Sequence, residues 1–158
     1  MREHGSILEG QEIYLTNLLS FRKKLTQDEL QSEVARIGQY IEKCGLTKLG
    51  PNISVTFAVE QDGVMDIEML FQLDKTFAPP DGCVCKPLFK LTNAVSIRHA
   101  GSPATLQETY SKLMEYLRQR DLQPITSGYN VAVKDAKSID EIDRMIVDVY
   151  IGVSPNVL

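Results

Sequence analysis

Leu15-Thr16-Asn17-Leu18-Leu19-Ser20-Phe21-Arg22 lies without gaps over Leu91-Thr92-Asn93-Ala94-Val95-Ser96-Ile97-Arg98, an offset of 76 residues with five of eight positions identical. The same offset joins Leu30 to Leu106, Gln31 to Gln107, Tyr40 to Tyr116, Leu46 to Leu122 and Val55 to Val131. A chain that repeats itself at a fixed period is read as copies of one supersecondary unit before any element is assigned. In each copy an apolar segment is followed by a helix pattern and two further strand patterns, so each half reads β-α-β-β. The fold class expected is α+β: duplicated β-α-β-β units forming one pseudo-two-fold domain, with an antiparallel sheet and two main helices.

The helices are marked by apolar residues at i, i+4, i+7 and i+11: Leu30, Val34, Ile37 and Ile41 in one, Leu106, Tyr110, Leu113 and Leu117 in the other. Thr26-Gln27-Asp28-Glu29 fits a capping box at the start of the first, and Ser102-Pro103 fits an N-cap followed by proline at the first helical position. Cys44-Gly45 and Arg120-Asp121 mark the helix ends, with Gly50-Pro51 and Pro124 as breakers beyond them. Strands are expected at 53–60 and 64–73, joined around Asp62-Gly63, and at 129–134 and 145–153. The connection before that last strand carries a second capping-box pattern at Ser138-Ile139-Asp140-Glu141. Pro79, Pro80 and Gly82 suit a linker over 76–87, which divides a single domain spanning 1–158 into a first repeat of about 11–75 and a second of about 88–153. A unit of about 65 residues buries little surface alone, so the two copies are expected to form one cooperative core.

Side chains alternate along a strand, which separates the face packed on the helix from the face left open. Ile67, Met69, Phe71 and Leu73, and Val147, Val149, Ile151 and Val153, take the helix face. Glu68, Leu70 and Gln72 then point the other way, as do Asp148 and Tyr150, and Ser20 with Arg22 and Ser96 with Arg98 share that parity. Ser54, Thr56 and Asn130 are assigned there too, which makes the face comparatively polar. Glu68, Asp148, Tyr150, Arg22, Arg98 and Gln72 are therefore the candidate ligand-binding residues. The plainer alternative is a set of solvated ion pairs, each worth about 0–1 kcal/mol.

The segments His99-Ala100-Gly101-Ser102-Pro103 and Asp148-Val149-Tyr150-Ile151-Gly152-Val153 resemble the gyrase-inhibitor-like effector-binding domains, over about residues 11–153. The first looks like that family's strand-end His-x-Gly followed by a helix. The second is similar to its closing Glu-aliphatic-x-aliphatic-Pro-aliphatic strand, with aspartate in place of glutamate and Gly152 in place of proline. The resemblance implies that Asp148, with Glu68 as its repeat partner, meets a ligand in a cleft between the repeats. Drug-binding members line that cleft with aromatics. This chain has no tryptophan, so a smaller polar ligand is expected instead.

A net charge of −4, with no basic run longer than Arg22-Lys23-Lys24, lacks the electrostatic footprint of a nucleic-acid binder. A composition that is 43% hydrophobic and 24% charged is that of a globular protein. No apolar run approaches membrane-spanning length, and Met1-Arg2-Glu3-His4-Gly5 has no signal-peptide core, so a cytoplasmic protein is expected. Cys44, Cys83 and Cys85 are read as free thiols, Cys44 as a buried filler of the first helix stripe. His4 and His99 are the only histidines. With so few N and S ligands, neither a metal nor any cofactor is expected, and no hydrolase elbow, P-loop or dinucleotide fingerprint occurs. The function expected is a stand-alone small-molecule effector-binding protein. The resemblance also implies two alternatives: an interaction or inhibitor module acting on a partner protein, and a small hydrolase of reactive metabolites, for which an acid beside Tyr150 would supply acid–base chemistry.

Overall fold

The computed structural model describes residues 2–135 and 139–154. Its elements are β1 (Ile7–Leu25), α1 (Gln27–Lys43), β2 (Ile53–Val59), β3 (Met65–Gln72), β4 (Val84–Ala100), α2 (Leu106–Gln119), β5 (Gln123–Pro124), β6 (Tyr129–Lys134) and β7 (Ile146–Ser154). Among the described residues, β3 pairs antiparallel with β1 and β2, and β7 pairs antiparallel with β4, β5 and β6, giving an α+β architecture with two α-helices. Two compact units are formed: Tyr14–Phe89, and Met1–Ile13 together with Lys90–Leu158. β1 starts earlier than the repeat suggests, and β4 begins inside the stretch read as linker, at Val84.

In the Tyr14–Phe89 unit, β3 lies between β1 and β2, with Arg22 opposite Glu68 and Val55 opposite Glu68 from the other side. Thr26 caps α1 as its sequence implies: its side chain accepts from the Glu29 amide while Glu29 accepts from the Thr26 amide at 2.9 Å. The stripe buries Ile37 and Ile41 against Leu19, Phe21, Ile67, Met69, Phe71 and Leu73, with Leu30 and Val34 partly buried beside them. Cys44 departs from its expected place. It is the C-cap residue of α1 and is exposed, because the chain leaves the helix there through Gly45 at φ +67°. The Asp62-Gly63 turn forms as expected, with Gly63 at φ +86° and the Val64 amide donating to Asp62 Oδ1 at 3.1 Å.

In the other unit β7 is central, paired with β4 on one side and β6 on the other, and β5 adds to its end through Gln123 and Pro124. Leu113 and Leu117 of α2 are buried against Val95, Ile97, Val147, Val149, Ile151 and Val153. Ser102 caps as predicted by accepting from the Ala104 amide, but Pro103–Thr105 form a 3-10 turn and α2 starts only at Leu106. Ser138 of the second capping-box pattern lies outside the described residues. The chain beyond it forms a short 3-10 helix, Ile139–Arg144.

The shared Leu-Thr-Asn motif has a backbone cause. Asn17 and Asn93 sit in the left-handed region at φ +59° and +52°, which asparagine tolerates better than other non-glycine residues. Asn17 Nδ2 donates to the Leu73 and Lys75 carbonyls at 2.8 Å, and Asn93 Nδ2 donates to the Val153 carbonyl at 2.9 Å. Each asparagine therefore ties a bend in the unit's first strand to the end of its last.

Gly152 also has a local reason. A Cβ there would meet Thr126 Cγ2 at 2.9 Å and Leu91 Cδ1 at 3.0 Å, and the Gly152 amide donates to Thr126 Oγ1 at 2.9 Å. Proline at this position would lose that donor. Gly152→Ala is expected to lower stability by about 1–3 kcal/mol through overpacking. Urea unfolding measures this, and an unchanged midpoint would show that Thr126 and Leu91 move aside freely.

Candidate functional site

Strand pairing places the acids on the sheet faces turned away from the helices, because residues directly opposite in an antiparallel ladder share a face. In the Tyr14–Phe89 unit, Glu68 is only 8% exposed. Ser20 Oγ donates to Glu68 Oε2 at 2.7 Å, and Lys86 of β4 forms an ion pair with the same oxygen. Arg22 stands opposite Glu68 in the ladder but turns to Asp66, donating from Nε and Nη2 at 3.0 Å each. Its guanidinium also lies 3.8 Å from the Phe57 ring centroid. Hydrogen bonding to Arg22 holds the Asp66 carboxyl below the usual carboxylate range. Gln72, opposite Leu18, is half-buried on the Glu68 face.

In the second unit Arg98 is opposite Asp148 and meets it directly. Nε and Nη2 of Arg98 donate to the two Asp148 oxygens at 2.8 Å each. The side chains are 12% and 6% exposed, so this planar two-point pair is largely shielded from water. The hydrogen bond to Asp148 raises the Arg98 pKa further above its ordinary value. Tyr150 lies between Ser96 and Tyr129 in the ladder, half-buried. Sequence reasoning missed a second ionic partner of Asp148: Arg2 Nη1 sits 3.5 Å from Oδ2. Its distance along the chain and the lack of any motif around it left no signal to find.

The expected polarity of this face is corrected for three residues. Ser54 and Thr56 pair with Met69 and Ile67, and Asn130 pairs with Val149, so all three fall on the helix side. The residues beside the acids are instead Ile53 and Val55, opposite Leu70 and Glu68, and Tyr129 and Val131, opposite Tyr150 and Asp148. Leu18, Ile53, Val55 and Leu70 are at most 2% exposed yet lie outside the helix-packed cluster. The acid face is thus lined by aliphatic and aromatic groups, and alternation in β2 misled because its apolar residues face away from the helix.

His99 is on the helix side, 1% exposed, with Nδ1 2.6 Å from Thr109 Oγ1 and Nε2 2.8 Å from the Ser102 carbonyl. A carbonyl only accepts, so Nε2 donates to Ser102. This histidine fixes the start of α2 to β4. Among the described residues no group of three or more His, Cys, Asp or Glu is placed to hold a metal. A groove of about 670 Å³ runs along α2 and β5, lined among others by Tyr110, Met114, Leu122 and Pro124, and contains none of the acid-face residues. No helix among the described residues is long and apolar enough to cross a membrane.

The architecture defines an α+β fold of antiparallel strands and two α-helices. No protein-family model and no curated protein sequence matches the chain, whereas solved structures do. The C-terminal domain of EcmrR matches with a TM-score of 0.78 at 16% identity, covering 96% of this chain and 98% of that one. EcmrR in its complex with DNA matches with a TM-score of 0.79 at 16% identity over 96% of this chain, which spans 58% of that longer chain. An uncharacterized conserved protein from Listeria innocua gives a TM-score of 0.65 at 15% identity, covering 92% of each chain. A hydrolase from the same organism gives 0.63 at 16% identity, covering 94% of this chain and 91% of that one. At these identities the likeness is one of fold.

Proposed function

We propose that this protein is a small-molecule effector-binding module, with Glu68, Gln72, Asp148 and Tyr150 on its ligand-contacting faces and Arg22 and Arg98 setting the charge around them. The observation that carries this is a buried carboxylate on the helix-free face of each unit, set among apolar or aromatic neighbours: Glu68 beside Leu70 and Val55, Asp148 beside Tyr150 and Val131. Apolar walls with a few fixed polar groups are the usual composition of small-molecule sites. The fold shared with the EcmrR C-terminal domain supports the same reading, as does the sequence resemblance to gyrase-inhibitor-like effector-binding domains. The apolar lining favours an organic ligand with one polar or cationic group over a wholly polar metabolite.

The two units are read as copies of one β-α-β-β element. Support comes from the shared motif at offset 76, the left-handed asparagine in each first strand, and the matching Arg22–Glu68 and Arg98–Asp148 ladder positions. The acids are 80 residues apart rather than 76 because the connection before β7 is longer.

A thermal-shift screen against organic cations, neutral drugs and polar metabolites tests the reading, repeated on Glu68→Gln and Asp148→Asn. A ligand at 100 times its Kd stabilises by about 2.7 kcal/mol, an increase in Tm of roughly 5–11 °C for a chain of this size. Loss of the shift in one variant identifies the acid that meets the ligand. Folded protein that responds to no compound would count against the reading and favour a protein partner.

A further inference from the structure

Arg2 is held by acceptors that engage all three nitrogens of its guanidinium. Nε donates to Ser6 Oγ at 3.4 Å. Nη1 donates to Ser96 Oγ at 3.3 Å and faces Asp148 Oδ2 at 3.5 Å. Nη2 donates to the Ser6 carbonyl at 3.0 Å and the Ser96 carbonyl at 3.3 Å. A guanidinium carries five N–H donors in one rigid plane; four hydrogen bonds engage all three nitrogens here, and Asp148 adds an ion-pair contact. Two of the contributing residues are deeply buried: Ser96 is 0% and Asp148 4% exposed.

The cradle does not depend on the Arg2 side chain for its construction. Ser96 and Asp148 belong to β4 and β7, whose ladder fixes them, and Arg98 holds the Asp148 carboxylate from its other side. The segment carrying Ser6 is pinned to β4 by its own backbone: the Gly5 amide donates to the Arg98 carbonyl at 2.7 Å, and the Arg98 amide to the Ser6 carbonyl at 3.1 Å. His4 Nδ1 accepts from the Ala100 amide at 3.0 Å.

We propose that Asp148, Ser96 and Ser6 form a binding site for planar guanidinium or amidinium cations, filled in this chain by its own Arg2. The proposal rests on the reading of the Asp148 face as a ligand surface and specifies the chemistry that face selects. The carboxylate is already shared with Arg98, so net charge contributes little and the several acceptors spread around the guanidinium select the guest. An ammonium, with three donors around a point charge, does not match that array. Arg2 acts as a tethered competitor at a local concentration of millimolar or more, so an incoming cation must displace it.

The test uses the full chain with Arg2→Ala and the probe methylguanidinium, with methylammonium at equal ionic strength as control, read by calorimetry and by amide shifts of residues 96 and 148. Arg2→Ala is expected to bind methylguanidinium at least about tenfold more tightly than the parent chain, as removal of a tethered competitor implies. Adding Ser96→Ala should abolish the gain, and methylammonium should not reproduce it. Arg2→Lys, which keeps a cation and a long stem, covers the case in which Arg2→Ala unfolds, and it too should gain methylguanidinium binding. Equal affinity in parent and variant, or equal response to methylammonium, overturns the proposal. A silent effector screen combined with a guanidinium gain in Arg2→Ala leaves the cradle standing and removes the effector reading. A positive screen without that gain does the reverse.

Discussion

Arg98→Leu is expected to destabilise the protein by about 3 kcal/mol or more, because it leaves a buried carboxylate without its principal partner. For a chain of this length each kcal/mol moves Tm by roughly 2–4 °C, so a fall of about 6–12 °C should be seen. Asp148 is 4% exposed and accepts two 2.8 Å hydrogen bonds from Arg98. Arg2, at 3.5 Å, supplies only a weaker contact to one of the same oxygens. Asp66→Asn is the matched control. Its partner Arg22 has a side chain 54% exposed, and breaking so exposed a pair should cost no more than about 1 kcal/mol. Replacing both members of the buried pair, Arg98→Leu with Asp148→Leu, should recover much of the loss, since no unpaired charge then remains. Equal effects of Arg98→Leu and Asp66→Asn on Tm would show that water reaches Asp148 freely.

The other large effect expected is in the core of the Tyr14–Phe89 unit. Phe21 is 1% exposed, and its ring centroid lies 6.4 Å from that of Phe71, beneath α1. Phe21→Ala should cost about 3–5 kcal/mol, the sum of lost apolar transfer and an unfilled cavity. Its counterpart at offset 76, Ile97→Ala, should cost about 2–5 kcal/mol for the same reason. Urea unfolding followed by far-ultraviolet dichroism measures both. A loss below about 1 kcal/mol for Phe21→Ala would mean that α1 collapses onto the vacated space, since the cost of such a change depends on how far the site relaxes.

Much of this fold was legible because its local signals are short-ranged. The helix stripes, the Thr26–Glu29 capping box and the Asp62-Gly63 turn depend on residues within a few positions of one another, and each appears where its pattern places it. Parity along β3 and β7 was also readable, because their helix-facing residues form an unbroken apolar series. In β2 and β6 the same rule gave the opposite face. Ile53 and Val55 are apolar yet turn away from the helix, and an apolar residue is no guide to side when both faces of a sheet are buried.

Of the candidate site, the sequence placed Arg98 and Asp148 on a common face, and the structure brings them into contact. Arg22 and Glu68 share a ladder position without pairing, because Asp66, near the start of β3, offers Arg22 a partner while Lys86 and Ser20 reach Glu68. Lys86 and Arg2 come from segments remote in sequence from the acids they meet, and no periodicity records such contacts.

The sequence by itself determined the element order, the two amphipathic helices, the capping of the first, and the positions of the two acids along their strands. Each of these follows from hydrogen bonding and side-chain alternation over a few residues. Only the tertiary structure decided which cation each acid meets and which face of β2 and β6 lies beside it. Those outcomes depend on strand register and on segments brought together from far apart, where a shift of one residue reverses every side chain.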